Sequence, residues 1–470
     1  MSGNAIPAGL QAPAPNRWII LANVSLGTFM STLDSSIANV ALPTMSAELA
    51  APVHLIQWVL TAYLLTICAT LPIMGKLSDM WGRTRVYQFG FLLFAFGSAW
   101  CGLSHSLSML IGSRIIQALG AACLMSNSQA IVAQTFANGD RGRALGIIGT
   151  VVSLGSLTGP GIGGILVHHF GWPTIFWINV PIGVMAFIAG MFILPKDSAA
   201  RREPFDYTGS GLFIVGMTAF LYSLSNAQDW GWSSASAIGG LVGAVLVLVV
   251  FFLWEKRTRF PMVDFSLYRI PAFAVGNLTA LLVFTANFFT TVLMPFFMQN
   301  VLSLSVEHTG YMMMVYPITM AVVAPMSGYL SDRMGSKLLT TAGLFVMLAG
   351  FACLLTLSAH ASLVLLAVFL AMFGMGSGLF QSPNNASIMG AVPAKKLGSA
   401  GGLNALARNV GMVLGTSVSV SIYATGLQHF GGGVATPDPH AMMNALRISF
   451  AAGGAVCVLA LAVSARRLKL

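Results

Sequence analysis

Apolar runs of about 20 residues, enough for a helix to cross a bilayer core, recur from Trp18 to Ala465. Short breaks rich in charge, Gly or Pro separate them, and about fourteen runs satisfy the length criterion. The first extends from Trp18 to Leu42 and is expected to close at Pro43. Others lie at Val86 to Leu103, Leu107 to Phe136, Ala144 to His168 and Trp172 to Leu194. The stretch PKDSAARREPFDYTG then breaks the pattern as a charged linker. Two runs follow at Thr208 to Ser225 and Ser234 to Trp254, closed by EKRTRFP, and six more occupy Pro271 to Ala465.

Composition turns this pattern into a class. The 470 residues are 56% hydrophobic and 8% charged, whereas soluble domains carry about 25% charged residues. The chain is therefore expected to be an all-α integral membrane protein. Its net charge of +10 does not point to nucleic acid, because the basic residues sort by side. With the N-terminus inside, Arg17, Lys76, Arg83, Arg85, Arg141, Arg143, Lys196, Arg201, Arg202, Lys256, Arg257, Arg259, Arg269, Arg333, Lys337, Lys395, Lys396, Arg466, Arg467 and Lys469 all fall on inner segments. That is 20 of the 23 basic residues, and such asymmetry places both termini in the cytoplasm with an even number of spans. Residues 1–16 lack a signal peptide's basic start and cleavable apolar core and read as a disordered cytoplasmic tail. The five cysteines show no CxxC and no pairing pattern, so neither a disulfide nor a metal site is expected. His168 and His169 have no acidic or cysteine companions and read as loop residues.

An internal repeat organises the runs. GKLSDMWGRTR, from Gly75, is echoed by GYLSDRMGSKL, from Gly328, and each follows the second helix of a six-helix set. Two six-helix bundles with two extra central helices result: 17–196 and 271–465 as bundles, 208–256 as the additional pair. Residues 197–207 and 257–270 are cytoplasmic linkers, and 466–470 a cytoplasmic tail. Repeats of this kind build many secondary transporters, with the substrate site at the midplane between halves.

Against that background Asp34, in STLDSSIANVALP, stands out as a carboxylate deep in an apolar run, where charge is costly and usually functional. Counted from Pro43 it lies roughly 13 Å below the outer surface. Arg114, counted from Leu107, lies about 10 Å below the same surface. A nearby cation lowers a carboxylate pKa while burial raises it, so Arg114 is expected to tune the proton affinity of Asp34. The alternative is an Arg114 that only bonds helix ends in a packing network.

Four stretches resemble the major facilitator superfamily, specifically its fourteen-helix drug:proton antiporter branch, over nearly all of residues 17–465. GKLSDMWGRTR is similar to the loop after helix two. Gly75, Gly82, Asp79 and Arg83, with Arg143 of DRGRALG as a partner and Asp332 in the second copy, would form a latch on the cytoplasmic side. The resemblance implies that this latch stabilises the outward-open state; Met80 stands where the family usually has Arg. RIIQALGAA resembles the helix-four motif, with Ala118 where Gly is usual. GSLTGPGIGG resembles the antiporter motif at Gly155, Gly159, Pro160, Gly163 and Gly164, which implies export rather than uptake. STLDSSIANVALP with QWVLTAYLL is similar to the helix-one and helix-two patterns of the branch. FDYTG, PMVDFSLYRIPAF and SPNNASIMGAVP favour fourteen helices over twelve. Helix thirteen, Leu403 to Tyr423, holds Arg408 and Asn409 but no acid, so dicationic substrates are disfavoured.

Flexible Met and aromatic side chains crowd helices nine and ten, at Phe284 to Met298 and Met312 to Tyr316; most are expected to face lipid or the core, and about one in four to line a pocket where it could repack around varied apolar ligands. Trp58, Tyr63, Asn127, Asn287, Gln299, Gln381 and Arg408 are the candidate pocket residues. The expected activity is proton-coupled export of lipophilic, neutral or monocationic compounds by alternating access across the inner membrane. No cofactor is expected beyond the coupling proton, and no Walker A loop is present. The expected partners are small lipophilic substrates and the bilayer, with a monomer or an assembly with envelope proteins as the alternatives. A dedicated exporter of one metabolite, antibiotic or lipid would share every motif, an importer would move solute with the proton, and an enzyme lacks support in HExxH, GxSxG or paired buried carboxylates.

Overall fold

The computed structural model describes residues 16–466 apart from Pro52, Gln57, 137–139, Lys196, 198–203, Phe260, Ser305, 359–360 and 432–438. For some further helical residues, Pro160, His168 and Gln299 among them, only the backbone is described. The tail expected at 1–16 therefore lies, but for Asn16, outside the described residues, as do most of the linker from 197 and the last four residues. Asn16 itself caps the first helix, its Oδ1 accepting from the Trp18 N–H at 3.0 Å.

The long helices are α1 Arg17–Glu48, α2 Trp58–Trp81, α3 Arg83–Gly102, α4 Leu107–Thr135, α5 Arg141–Phe170, α6 Asn179–Ile193, α7 Tyr207–Trp230 and α8 Ala235–Arg257. They continue as α9 Pro271–Phe296, α10 Val315–Met334, α11 Ser336–Leu355, α12 Leu363–Ala391, α13 Leu397–Gly431 and α14 Pro439–Ala465. Eleven stretches among the described residues are helical, long and apolar enough to cross a membrane. The Ser-, Thr- and Gly-bearing helices α1, α3 and α5 are not among them. Polar and small residues lower hydropathy where helices pack on each other instead of on lipid.

Two apolar cores are the largest among the described residues. One gathers Val24, Met30, Tyr87, Phe91, Phe94 and Ala121 from α1, α3 and α4. The other gathers Phe289, Leu344, Phe351, Phe373 and Phe450 from α9, α11, α12 and α14. Between them α5 packs against both α1 and α10, and α13 against both α9 and α2. The pair α7 and α8 packs together and touches α2 and α13 through α7.

Two boundaries differ from the sequence reading. Helix α1 does not close at Pro43 but continues to Glu48, since proline removes a single donor and a long helix can carry the loss. Asp34 is then fourteen residues, roughly 21 Å, from that end of α1. The run from Trp172 is broken into a short turn, Thr174–Trp177, and α6.

The repeated G-x-L-S-D-x-x-G has one backbone meaning in both copies. Its last glycine, Gly82 or Gly335, joins two antiparallel helices with φ of +108° or +84°, a region that L side chains enter only at a cost. Nothing lies within 4 Å of where a Cβ on Gly335 would stand, so the backbone alone disfavours substitution. Gly335→Ala is expected to destabilise the protein by about 1–2 kcal/mol, read as a lowered melting temperature in detergent, while Gly239→Ala, in α8 with equally open surroundings, leaves it unchanged or raised.

Candidate functional site

Asp34 sits in the middle of α1 and is completely buried. Its Oδ2 accepts from Arg114 Nη1 at 2.5 Å. Its Oδ1 accepts from Gln117 Nε2 at 2.8 Å and from Asn179 Nδ2 at 3.0 Å. The sequence depths of Asp34 and Arg114 differ once α1 is seen to extend past Pro43, yet the two meet because α1 outruns the start of α4. Arg114 is also fully buried. Its Nε donates to the Val59 carbonyl at 3.1 Å and its Nη1 also to Gln117 Oε1 at 2.7 Å. The guanidinium lies over the Tyr63 ring, 4.1 Å from its centroid, with Phe176 on another side at 5.5 Å.

Each partner is there for a local reason. Gln117 follows Arg114 by three residues and so shares its face of α4. It can approach α3 closely because Gly97 has no side chain: a Cβ there would stand 2.6 Å from Gln117 Cα. Gln117 Nε2 also donates to Ser98 Oγ at 2.6 Å. Asn179 opens α6 just past the break in the run from Trp172. Neither Gln117 nor Asn179 was picked out in the sequence, since a neutral amide in an apolar helix carries little cost. The i+3 spacing from Arg114 was the available signal for the first.

The glycines of GSLTGPGIGG bring α5 onto the same turn of α1. A Cβ on Gly155 would overlap Thr32, and one on Gly159 would overlap Ser36 Oγ and stand 2.9 Å from Ile37 N. Gly163 faces Ile37, while Gly164 faces open space. Ser36 Oγ donates to the Gly155 carbonyl at 3.0 Å, so α5 is docked on the residues that flank Asp34. The Pro160 side chain lies outside the described residues.

At the end of the bundle that carries most of the basic residues, the two repeat aspartates hold the other half. Asp79 of α2 caps α13: Oδ1 accepts from Gly398 N at 3.0 Å, and Oδ2 from Ser399 N at 2.9 Å and Ser399 Oγ at 2.6 Å. Asp332 of α10 caps α5, accepting from Gly142 N at 3.0 Å and Arg143 N at 3.2 Å. A carboxylate at a helix start satisfies free N–H groups and meets the positive end of the dipole. The first glycine of each repeat permits the approach, Gly75 against Gly398 and Gly328 against Gly142. Arg83 pairs with Asp79 at 3.2 Å and also donates to Gln134 Oε1 and the Ala394 carbonyl.

Arg143 does not pair with Asp79 as the sequence suggested. Its guanidinium lies over Trp18, 5.1 Å from the ring centroid, because the helix start that Asp79 grips is α13, not α5. Beside this end Lys396 pairs with Asp264. Burial works to raise the Asp264 carboxyl, but Lys396 and Ser266 hold it below its ordinary range.

The candidate pocket residues do not form one cluster. Tyr63 belongs to the Asp34 site. Asn287 donates to Ser377 Oγ at 2.9 Å, as does Tyr316 at 3.0 Å. Asn127 turns back to the Cys123 carbonyl, and Trp58 packs on Tyr222 of α7 with ring centroids 5.2 Å apart. Gln381 is buried in α12, and the Gln299 side chain lies outside the described residues. Phe289, Met294, Phe297 and Met298 from the Met and aromatic crowd are fully buried in the core.

Asp79→Asn and Asp332→Asn should each loosen this end. Replacing a capping carboxylate with a weaker partner costs about 1 kcal/mol, roughly a fivefold shift in an open–closed equilibrium. Alkylation of a single reporter cysteine placed at Ala324 should speed up by that factor in either variant; equal rates in wild type and both variants would contradict the latch.

Residues 24–416 match the Major Facilitator Superfamily. The riboflavin transporter RibZ of Clostridioides difficile strain 630 is 38% identical over 414 residues, covering 88% of this chain and 90% of its own. The multidrug resistance protein Stp of Mycobacterium tuberculosis is 34% identical over 423 residues, covering 90% of this chain and 78% of its own. The human organic anion transporter MFSD10 shares the fold, with a TM-score of 0.67 at 17% identity over 96% of this chain and 100% of that one. The chain is a transporter and not an enzyme, and it belongs to the Major Facilitator Superfamily.

Proposed function

We propose that the protein is a proton-coupled exporter of lipophilic compounds, exchanging each for protons by alternating access across the inner membrane. In this reading the chain crosses the membrane fourteen times with both termini in the cytoplasm, and the basic end is the cytoplasmic one. The observation that carries it is the fully buried Asp34 held by Arg114, Gln117 and Asn179. A carboxylate with these partners has two stable states. Ionised, it is neutralised by Arg114; protonated, it releases that cation and weakens three contacts at once.

The movement has a route to the other end. Asp34 lies on the turn of α1 where Gly155 and Gly159 seat α5, and the start of α5 is gripped by Asp332. Protonation from outside would relax α1 against α4 and α6, tilt α5, and break its cap on α10, opening the cytoplasmic side. Deprotonation there would restore the ion pair and the closed end. Proton and substrate would bind in alternation.

A second reading, a dedicated exporter of a single compound, is favoured by the named riboflavin transporter among the relatives. Stp, named for multidrug resistance, favours the broader one. Both share the coupling mechanism, and a substrate screen separates them.

The test is substrate-dependent proton release from protein in liposomes. Asp34→Asn keeps shape and hydrogen bonding while removing titration. It is expected to bind substrate within about threefold of wild type and to transport without response to a pH gradient. Wild-type coupling in that variant would eliminate the mechanism.

A further inference from the structure

Arg408 lies eleven residues into α13, about 16 Å from its start and so near the middle of a bilayer core about 30 Å thick. It is partly exposed and forms no ion pair with any described residue. An arginine stays charged in a protein, and a charge at this depth ordinarily has a partner or faces a watery cavity.

Its position along α13 defines what it faces. Gly401, Asn404 and Arg408 follow one another at i, i+3 and i+7 on one face. Gly401 is pressed against the Ser126 carbonyl of α4. Asn404 Nδ2 donates to Gln129 Oε1 at 2.7 Å and to Asn385 Oδ1 at 3.1 Å. The seal between halves thus runs from the Asp79 cap at Gly398 up to Asn404. Arg408 is the next residue on that face, one turn beyond those contacts.

The surrounding chemistry is one-sided. No Asp or Glu occurs in α9 or in α11 to α14, and α10 has only Asp332 near its end, occupied by Gly142 and Arg143. Asp34 is occupied by Arg114. The polar groups beneath Arg408 are the neutral amides Gln129, Asn385 and Asn404. A cationic ligand would find no free carboxylate here, whereas an anion would supply the counter-charge that Arg408 lacks.

From this juxtaposition we propose that the substrates are lipophilic organic anions, bound between the halves with their acidic oxygens on Arg408. The guanidinium fork suits carboxylate and enolate oxygens, and the apolar part of the ligand would lie toward the aromatic-rich C-terminal half. This replaces the neutral or monocationic class expected from the sequence, and it rests on the exporter reading for direction of transport only.

Fluorescein and rhodamine 6G share a xanthene frame and differ in charge, so they separate the alternatives. With the full chain in liposomes, fluorescence anisotropy should show fluorescein binding and weaker or no rhodamine 6G binding. Arg408→Gln should weaken fluorescein binding about tenfold or more, and Arg408→Lys, which keeps the charge, should recover most of it. Preference for rhodamine 6G, fluorescein binding unchanged in Arg408→Gln, or no binding of either dye to monodisperse protein would overturn the proposal. Flux under a pH gradient is read in the same liposomes. Fluorescein bound through Arg408 but insensitive to the gradient removes the antiport reading and leaves this one standing. Gradient-driven export of rhodamine 6G alone does the reverse.

Discussion

Taking an ionised carboxylate and a guanidinium out of water costs several kcal/mol for each ion, and their attraction offsets that only when geometry and further hydrogen bonds are good. Asp34 and Arg114 are both fully buried, so everything around them is constrained to complete the pair. Both Asp34 oxygens are engaged, Gln117 bridges the two charged groups, and the Val59 carbonyl takes Nε. Loss of either charge would leave the other uncompensated, at about 3–5 kcal/mol. An arrangement whose parts depend so strongly on one another's charge is poor insurance for stability and, in the proposed cycle, well suited to a two-state element.

That sensitivity matters only because it is not local. Helix α5 lies against the turn that carries Asp34, backbone to backbone at Gly155 and Gly159, and close-packed helices move as rigid bodies instead of deforming. The same helix begins in the grip of Asp332 from the opposite half. The second repeat mirrors this at Asp79 and α13, and α13 also carries Arg408. Each half thus grips, by its aspartate, the helix through which the other half reaches its own charged residue. In the proposed cycle this crossed arrangement is how a proton at Asp34 and an anion at Arg408 could bias one pair of gates.

What the sequence revealed follows cost. Asp34 and Arg114 were legible because a charge in an apolar run is expensive, and the two repeat aspartates because they recur with their glycines in register. Gln117 and Asn179 were not, since neutral amides are cheap enough to occur in helices for many reasons. Arg143 meets the latch through its backbone N–H on Asp332, and its side-chain partner was not legible because place in the chain says which loop a residue is on and not which helix start lies opposite Asp79. Proline at 43 suggested an end to α1 that packing overrode. The pocket candidates, chosen by residue type, fall in separate places, Tyr63 over Arg114 and Asn287 on Ser377, because residue type does not say which face of a helix meets which neighbour.

The two halves end up with different chemistry on one architecture. The N-terminal half concentrates its buried charge in a paired, sealed network centred on Asp34, with Tyr63 and Phe176 over the guanidinium. The C-terminal half has no acid in most of its helices, and its Arg408, about 16 Å along α13, forms no ion pair with any described residue. A proton site benefits from being closed, because a dry environment magnifies the difference between charged and neutral states. A substrate site must remain open to one side and keep its charge unsatisfied until a ligand arrives. In the proposed cycle, a sequestered Asp34 and a separate Arg408 would let proton and substrate act through helix movement without competing for the same atoms. The proposed exchange would then require only that both bias the same gate in opposite directions.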